Sequence, residues 1–390
     1  MAPQPTHASP LKVLHLVGAR SDQGGILSVL RALQSVRPTK EAPTSPRCQP
    51  SVWVHDSFIE RRPPPLDLRR NPAAEDENNR HLSLLWSAMR SWPGLRRLLA
   101  AERFDVVQGH SRGSFPLAAW LARRNRRRPA EPVVLFTNHT YARRTGMYRQ
   151  AVRRLDLPMV LLTPNMARHY GLTHTPGVKV ISACAHDRFF EHPLEPPQPT
   201  RETRVRFVGV GNLVRWKGWH LLLEAWALLP SDLRSAGHFD LWGPTLADPE
   251  GRRYADELHA LRKELNLQDA VSFRGPTNSV AEAVIESDWF VLPSTNEPCS
   301  VALIEALALG RPALVSASGG NIDIVQPGMN GRHFLPGNAA DLARQLAAIL
   351  RGEQVSHGPS ELRESVRPRS ATMVAGQYTA FYQHLRANRD

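Results

Sequence analysis

The sequence predicts an α/β fold made of two units of similar size, each a parallel sheet covered by helices on both faces. Three observations carry that expectation. Short apolar runs of strand length alternate with helical patterns along nearly all of the 390 residues. The alternation breaks at the proline-rich, polar stretch 191–203 (EHPLEPPQPTRET) and then restarts. Hydrophobic residues make up 42% of the chain, enough to bury a sizeable core. The expected organisation is a first domain over 1–190, a linker over 191–203, a second domain over 204–369 and a terminal helix within 370–390.

In chain order, residues 1–10 read as a loose tail. Lys12 to Gly18 (KVLHLVG) reads as a buried strand, followed by a loop with Gly24 and Gly25 and a helix from Ile26 to Ser35. Strand, glycine-rich loop and helix is how backbone N–H groups come to face a phosphate, although a plain tight turn gives the same pattern. A strand is expected at Ser51–Val54, and Arg61–Arg80, rich in proline and charge, reads as a long loop or lid. A helix follows over His81–Ala101, then a strand at Asp105–Gln108 and a helix over Ser114–Arg124. Strands at Pro132–Thr137, Met159–Thr163 and Val178–Ser182 complete the first half. His110 and His139 follow two of these strands, at carboxyl ends where a sheet of this kind presents ligand groups. A histidine there serves either a site or the structure. His139, among Thr137, Asn138, Thr140 and Tyr141, is the better site candidate.

The second half repeats the alternation. Strands are expected at Arg204–Val210, His238–Trp242, Val271–Arg274, Asp288–Leu292, Pro312–Val315, Asp323–Val325 and Gly331–Leu335. Helices are expected over Trp219–Leu229, Gly251–Asn266, Ser279–Glu286 and Ala339–Arg351. A last helix, Ala371–Ala387, is amphipathic through Val374, Tyr378, Phe381, Tyr382 and Leu385. No internal sequence repeat is visible.

Charge is uneven. Residues 1–195 hold 29 Lys and Arg against 15 Asp and Glu, whereas 196–390 hold 20 against 21. The whole net charge of +13 therefore comes from the first half, including Arg123, Arg124, Arg126, Arg127 and Arg128. Such a half suits an anionic membrane surface or an anionic substrate, or is simply a solvated basic face. No recognition motif accompanies the charge, so nucleic acid is not expected as a partner. Three scattered cysteines, Cys48, Cys184 and Cys299, have no metal-type spacing and fit a reducing compartment. No apolar run reaches transmembrane length and the start does not read as a secretory signal, so a cytoplasmic protein is expected.

Two stretches of the second half carry chemistry. GVGNLVRWKG (Gly209–Gly218) is a glycine turn after a strand, with Lys217 just before a helix. An ammonium beside a glycine turn suits phosphate oxygens as a point charge, and Arg215 could be a second contact. The other reading is a solvated lysine at a helix start. In Ser294–Gly320, Glu297 lies in a loop, Ser300 is a plausible N-cap, and Glu305 is embedded among Val301, Ala302, Leu303, Ile304, Ala306 and Leu307. An ionised carboxylate in an apolar helix needs a partner, either a polar ligand or a fixed donor such as an arginine.

These stretches resemble the retaining nucleotide-sugar glycosyltransferases of family 4. The likeness is strongest from Val205 to Leu350, and EPCSVALIEALALGRPALVSASGG is its most specific part. DLWGPT, YADELHALRKELNLQDAVSFRG and SDWFVLPS follow in the family's order and spacing. The resemblance implies a GT-B architecture, with two Rossmann-like domains facing across a cleft and the last helix crossing back to the first domain. It places Glu297 by the donor sugar, Glu305 on the nucleotide ribose and Lys217 on the diphosphate. Gly24 and Gly25 resemble the first-domain loop near the donor phosphate, and His139 the histidine near the donor sugar. His139, Lys217 and Glu297 are then the expected catalytic residues. The donor site adds Gly24, Gly25, Asn212, Arg215, Cys299, Ser300, Val301 and Glu305. Asn212 stands where the family usually has arginine, Ser300 where it has glycine, Cys299 where it has an aromatic residue, and Asp323 where it has glutamate. Ala183–Cys184 replaces an asparagine–glycine pair.

The expected activity is transfer of a sugar from a nucleotide-diphosphate sugar to a glycan, lipid-linked or small-molecule acceptor, in cell-envelope or polysaccharide biosynthesis. No cofactor and no metal are expected. The competing readings are a non-catalytic partner subunit that binds a nucleotide-sugar or glycan, and a sugar-nucleotide epimerase.

Overall fold

The computed structural model describes residues 10–22, 24–36, 48–74, 81–194 and 204–388. Most of the expected tail, the end of the expected lid (75–80) and most of the linker (195–203) lie outside them. The chain divides into two compact units, Met1–His186 with Ala371–Asp390, and Asp187–Ser370. The first division falls ahead of the 190/191 boundary read from the sequence, because the short helix Arg188–Glu191 packs on the Val301–Ala308 helix of the second unit.

The first unit holds a seven-stranded sheet: β1 (Leu11–Leu16), β2 (Cys48–His55), β3 (Leu68–Asn71), β4 (Val106–Gly109), β5 (Val133–Asn138), β6 (Met159–Leu161) and β7 (Val178–Val180). The second holds six: β8 (Val205–Val210), β9 (Gly237–Trp242), β10 (Val271–Gly275), β11 (Trp289–Leu292), β12 (Ala313–Ser316) and β13 (Gly331–Phe334). Their orders are β3-β2-β1-β4-β5-β6-β7 and β10-β9-β8-β11-β12-β13. All pairs are parallel. Both sheets are Rossmann-like, with the order reversing between the first and fourth strands of each.

The central strands are readable because both faces are covered. Every residue of β4, β5, β11 and β12 is buried, so these strands read as nearly continuous apolar runs. Helices Gly25–Gln34 and Phe115–Asn125 cover the first sheet, and Trp219–Ala227 and Ala339–Leu350 pack together on the second. Ala371–Ala387 belongs to the first unit, as expected for a helix that returns there. Its Tyr382 hydroxyl donates to Gln108 Oε1 in β4, and its Thr379 hydroxyl meets Cys48 Sγ at 3.3 Å.

Three expectations are corrected. The stretch expected as a lid contains β3, an edge strand whose Arg69 is paired with Asp67 and Glu102, so its charges are satisfied beside the sheet rather than in open solvent. Asp323–Val325 is not a strand. A single 3-10 turn, Asn321–Asp323, follows the paired glycines, and the pairing strand is β13. Helices Gly146–Leu155 and Pro359–Val366 were hidden by arginine-rich and proline-containing sequence.

Candidate functional site

In the second unit the order reverses between β8 and β11, and the two chemistry-bearing stretches leave the carboxyl ends of those two strands. In open parallel sheets this is where a crevice forms. The glycine turn runs from β8 into a 3-10 turn, Arg215–Lys217, and Gly218 then adopts φ 74°. A Cβ on Gly218 would lie 2.2 Å from the Pro293 carbonyl oxygen, so only glycine allows the turn to close against the end of β11. The Thr295 N–H donates to the Trp216 carbonyl at 2.9 Å, tying the two loops together.

That closure brings Lys217 onto Glu297. Lys217 Nζ donates to Glu297 Oε2 at 2.5 Å, with the two side chains only 12% and 7% exposed. Lys217 is therefore not solvated. The Glu297 loop is held from behind by Gly319 and Gly320. The Gly320 N–H donates to the Glu297 carbonyl at 2.7 Å, and a Cβ on Gly319 (φ 57°) would sit 2.2 Å from that same oxygen. Beneath, the hydroxyls of Ser316 and Ser318 both donate to the Ser294 carbonyl, and Asn321 Nδ2 donates to the Ser316 carbonyl at 3.2 Å. Sequence reasoning missed this polar support. Its signal was the run of small polar residues after β12.

The remaining expected residues divide between this site and elsewhere. Ser300 caps the helix Val301–Ala308, accepting from the Leu303 N–H at 3.3 Å, as read from the sequence. The helix is not buried all round. Val301, Ala302 and Glu305 are half-buried on one side, so Glu305 lies on a partly open face with Val301 one turn before it. Cys299 is buried at the helix start. The Asn212 carbonyl accepts from Trp219 Nε1 at 3.1 Å, fixing the turn by its backbone. Arg215 is bound away from Lys217: its guanidinium pairs with Glu257 and lies 5.0 Å from the Tyr254 ring centre.

Gly24, Gly25 and His139 lie in the first unit. Gly24 (φ 121°) precedes the Gly25–Gln34 helix, and a Cβ on either glycine would meet no atom within 4 Å, so the helix start is open. His139 is half-buried, and its Nε2 lies 3.0 Å from His110 Nδ1. His110 Nε2 in turn lies 2.9 Å from His15 Nδ1. Burial lowers His139 to about 4 and His15 to about 3; it also lowers His110 well below the usual histidine value, the neighbouring histidines adding to the effect. His15 was read only as part of a strand. A polar residue inside KVLHLVG was the available signal.

Among the described residues, no group of three or more His, Cys, Asp or Glu is arranged to hold a metal ion. No described helix is long and apolar enough to cross a membrane.

Two Rossmann-like units in one chain define the class, and the solved structures agree. Sucrose-phosphate synthase from Thermosynechococcus elongatus superposes with a TM-score of 0.75 over 98% of this chain and 100% of its own, at 18% identity. The fold is that of the GT-B glycosyltransferases. Residues 193–370 match the model of the family described as glycosyl transferases group 1. N-acetyl-alpha-D-glucosaminyl L-malate synthase of Bacillus anthracis is 32% identical over 133 residues, 33% of this chain and 35% of that protein. The lipopolysaccharide core biosynthesis glycosyltransferase LpsE of Rhizobium meliloti is 29% identical over 172 residues, 44% of this chain and 45% of that protein. The chain thus spans less than half the length of these two curated relatives.

Proposed function

We propose that the protein is a retaining glycosyltransferase that moves a sugar from a nucleotide-diphosphate sugar to a glycan, lipid-linked or small-molecule acceptor. The observation that carries this is the Lys217–Glu297 pair at the strand-order reversal of the second sheet. Leaving-group departure puts negative charge on the diphosphate. A preorganised ammonium in a partly desolvated site stabilises that charge more in the transition state than in the ground state. Glu297 holds the ammonium in place, and its carboxylate can also accept sugar hydroxyls. Glu305, on the open side of its helix, takes the ribose. Asn212, Cys299, Ser300 and Val301 line the same site in the second unit, and in the first unit Gly24, Gly25 and His139 keep the donor-contact roles that the resemblance gives them. Arg215 joins only by leaving Glu257. The names of the two curated relatives support a place in cell-envelope or polysaccharide biosynthesis, or transfer to a small acceptor.

The test is nucleoside diphosphate release from UDP-, GDP-, ADP- and TDP-sugars, for the wild type and Lys217→Ala, with an acceptor panel. Release that depends on acceptor and collapses in the variant supports the reading. Tight donor binding without release would make the protein a binding subunit. Product formed from the donor with no acceptor would make it an epimerase.

A cytoplasmic protein held on an anionic membrane face fits one further surface. Leu85, Trp86 and Met89 are 54–60% exposed on the helix His81–Ala101, and Trp120, 45% exposed, packs on Trp92 of that helix. Exposed Arg90, Arg96, Arg97 and Arg123 lie on the same two helices. Aromatic residues flanked by arginines suit a lipid headgroup boundary. Co-sedimentation with anionic vesicles at two salt concentrations tests it, with Trp86→Ser expected to weaken binding. No binding at low salt removes the membrane contact.

A further inference from the structure

We propose that His110 and His15 are positioning residues for His139. In this arrangement three imidazoles in one hydrogen-bonded chain fix which nitrogen of His139 carries the proton. The proposal rests on the donor-sugar role given to His139 above.

The chain follows from the sheet. β1 pairs His15 with Gln108, and β4 pairs Gln108 with Leu135. Extending the register, His110 lies two residues beyond the partner of His15, and His139 two beyond the partner of His110. Side chains two apart share a face, so the three rings step diagonally over one face of β1, β4 and β5 toward the carboxyl edge. Their centres are 5.1 and 5.3 Å apart. The nitrogens meet at 2.9 and 3.0 Å, both full hydrogen bonds.

Proton counting restricts the arrangement. A neutral imidazole has one N–H and one bare nitrogen. His110 uses both nitrogens, so it must donate on one side and accept on the other. If it donates from Nδ1, His139 Nε2 accepts and the His139 proton sits on Nδ1; His15 then donates from Nδ1. If His110 donates from Nε2, His15 Nδ1 accepts and carries its proton on Nε2; His139 then donates from Nε2. In either case all three rings adopt the same tautomer. His139 therefore presents its Nδ1 as a donor in one pattern and as an acceptor in the other, and the pattern is shared by all three rings. Switching from one pattern to the other moves a proton in every ring at once.

The surroundings keep the chain uncharged. Among the described residues, no carboxylate, lysine or arginine lines the cavity around the three rings, and Tyr378 of the last helix is the other titratable group there. Apolar Ile26, Leu30 and Leu33 close it from the first helix. Gln108, on the same face, is itself held by the Tyr382 hydroxyl and donates to Thr137 at 2.6 Å, so the strand carrying His110 is braced.

The test is 15N NMR of histidine-labelled protein without any substrate, together with donor turnover. Wild type should show His15, His110 and His139 all as the Nδ1–H tautomer or all as the Nε2–H tautomer, neutral at pH 6. Two different tautomers among the three, or a charged ring at pH 6, would overturn the proposal whatever the enzyme's activity. In His110→Phe, His139 should become a tautomer mixture, with kcat down about 10-fold or more and a changed pH profile. An unchanged His139 tautomer there would also sink it. His110→Gln, whose amide can donate and accept in line, should restore a single His139 tautomer and most of kcat. If His110→Phe does not fold, the wild-type tautomers and the His15→Gln spectrum still decide. A loss of transfer in every protein with the tautomers as expected would count against the glycosyltransferase reading and leave the chain standing.

Discussion

The two sheets share the order of their first six strands, yet the points where that order reverses are furnished in opposite ways. At β8 and β11, glycines bring backbone against backbone, and a nearly buried lysine and glutamate pair there. At β1 and β4, the groups are neutral: two histidines leading to a third, with Gln108, Thr137 and Tyr382 beside them. The same topology therefore offers the same position twice, and side chains decide what each position does. A charged pair suits an anionic leaving group. A neutral chain suits the orientation of a hydroxyl without opposing charge.

The contrast can be broken from the charged side first. Lys217→Ala should lower donor turnover about 100- to 1000-fold, the range for losing one preorganised charge-stabilising donor. The same variant leaves Glu297 buried without its cation, a loss of about 3–5 kcal/mol in stability. Turnover measured alongside urea unfolding separates the two effects, and a rate near wild type would remove charge from the comparison. Next come the glycines. Gly319→Ala and Gly218→Ala place a Cβ against backbone oxygen at positive φ, and each should lose roughly 2–4 kcal/mol by urea midpoint. Gly25→Ala in the first unit, where a Cβ meets nothing, should change stability by less than about 0.5 kcal/mol. A large loss there would mean that the two glycine loops are closed alike.

On the neutral side, Tyr382→Phe leaves Gln108 Oε1 without that donor and should cost about 1–3 kcal/mol, with Lys217-dependent turnover retained. The neutral side also predicts a pH dependence. His15 and His139 have folded values of about 3 and 4, below the unfolded 6.5. Below 6.5 the unfolded chain binds the extra protons, so this contribution to stability is complete above about pH 6.5. It declines as the pH falls toward 4 and then 3. His15→Gln should show a shallower fall in urea midpoint between pH 6.5 and 4 than wild type. Parallel curves would show that His15 is already charged in the folded state.

Much of this was legible from residue patterns. Apolar runs such as WFVL and the fully buried β5 identify central strands, because burial on both faces leaves no alternation to read. Ser300 was legible as a cap because its hydroxyl is the nearest acceptor to a helix start. Edge strand β3 was not, since an edge tolerates the arginines and prolines that argue against a strand. Helix Gly146–Leu155 was masked by its charge; its buried Tyr148, Ala151 and Val152 form a stripe too narrow to stand out.

By itself the sequence determined the class: two α/β units, a glycine turn ending in Lys217, a loop with Glu297 and a capped helix bearing Glu305. These are local facts, set by turn chemistry, capping and the period of apolar residues. Tertiary structure alone decided the partners. Lys217 and Glu297 are 80 residues apart, and His15 and His110 are 95 apart. Only the parallel pairing of β8 with β11 and of β1 with β4 brings them within hydrogen-bond reach. Strand order is chosen by the packing of whole faces, and no local pattern in the chain encodes it.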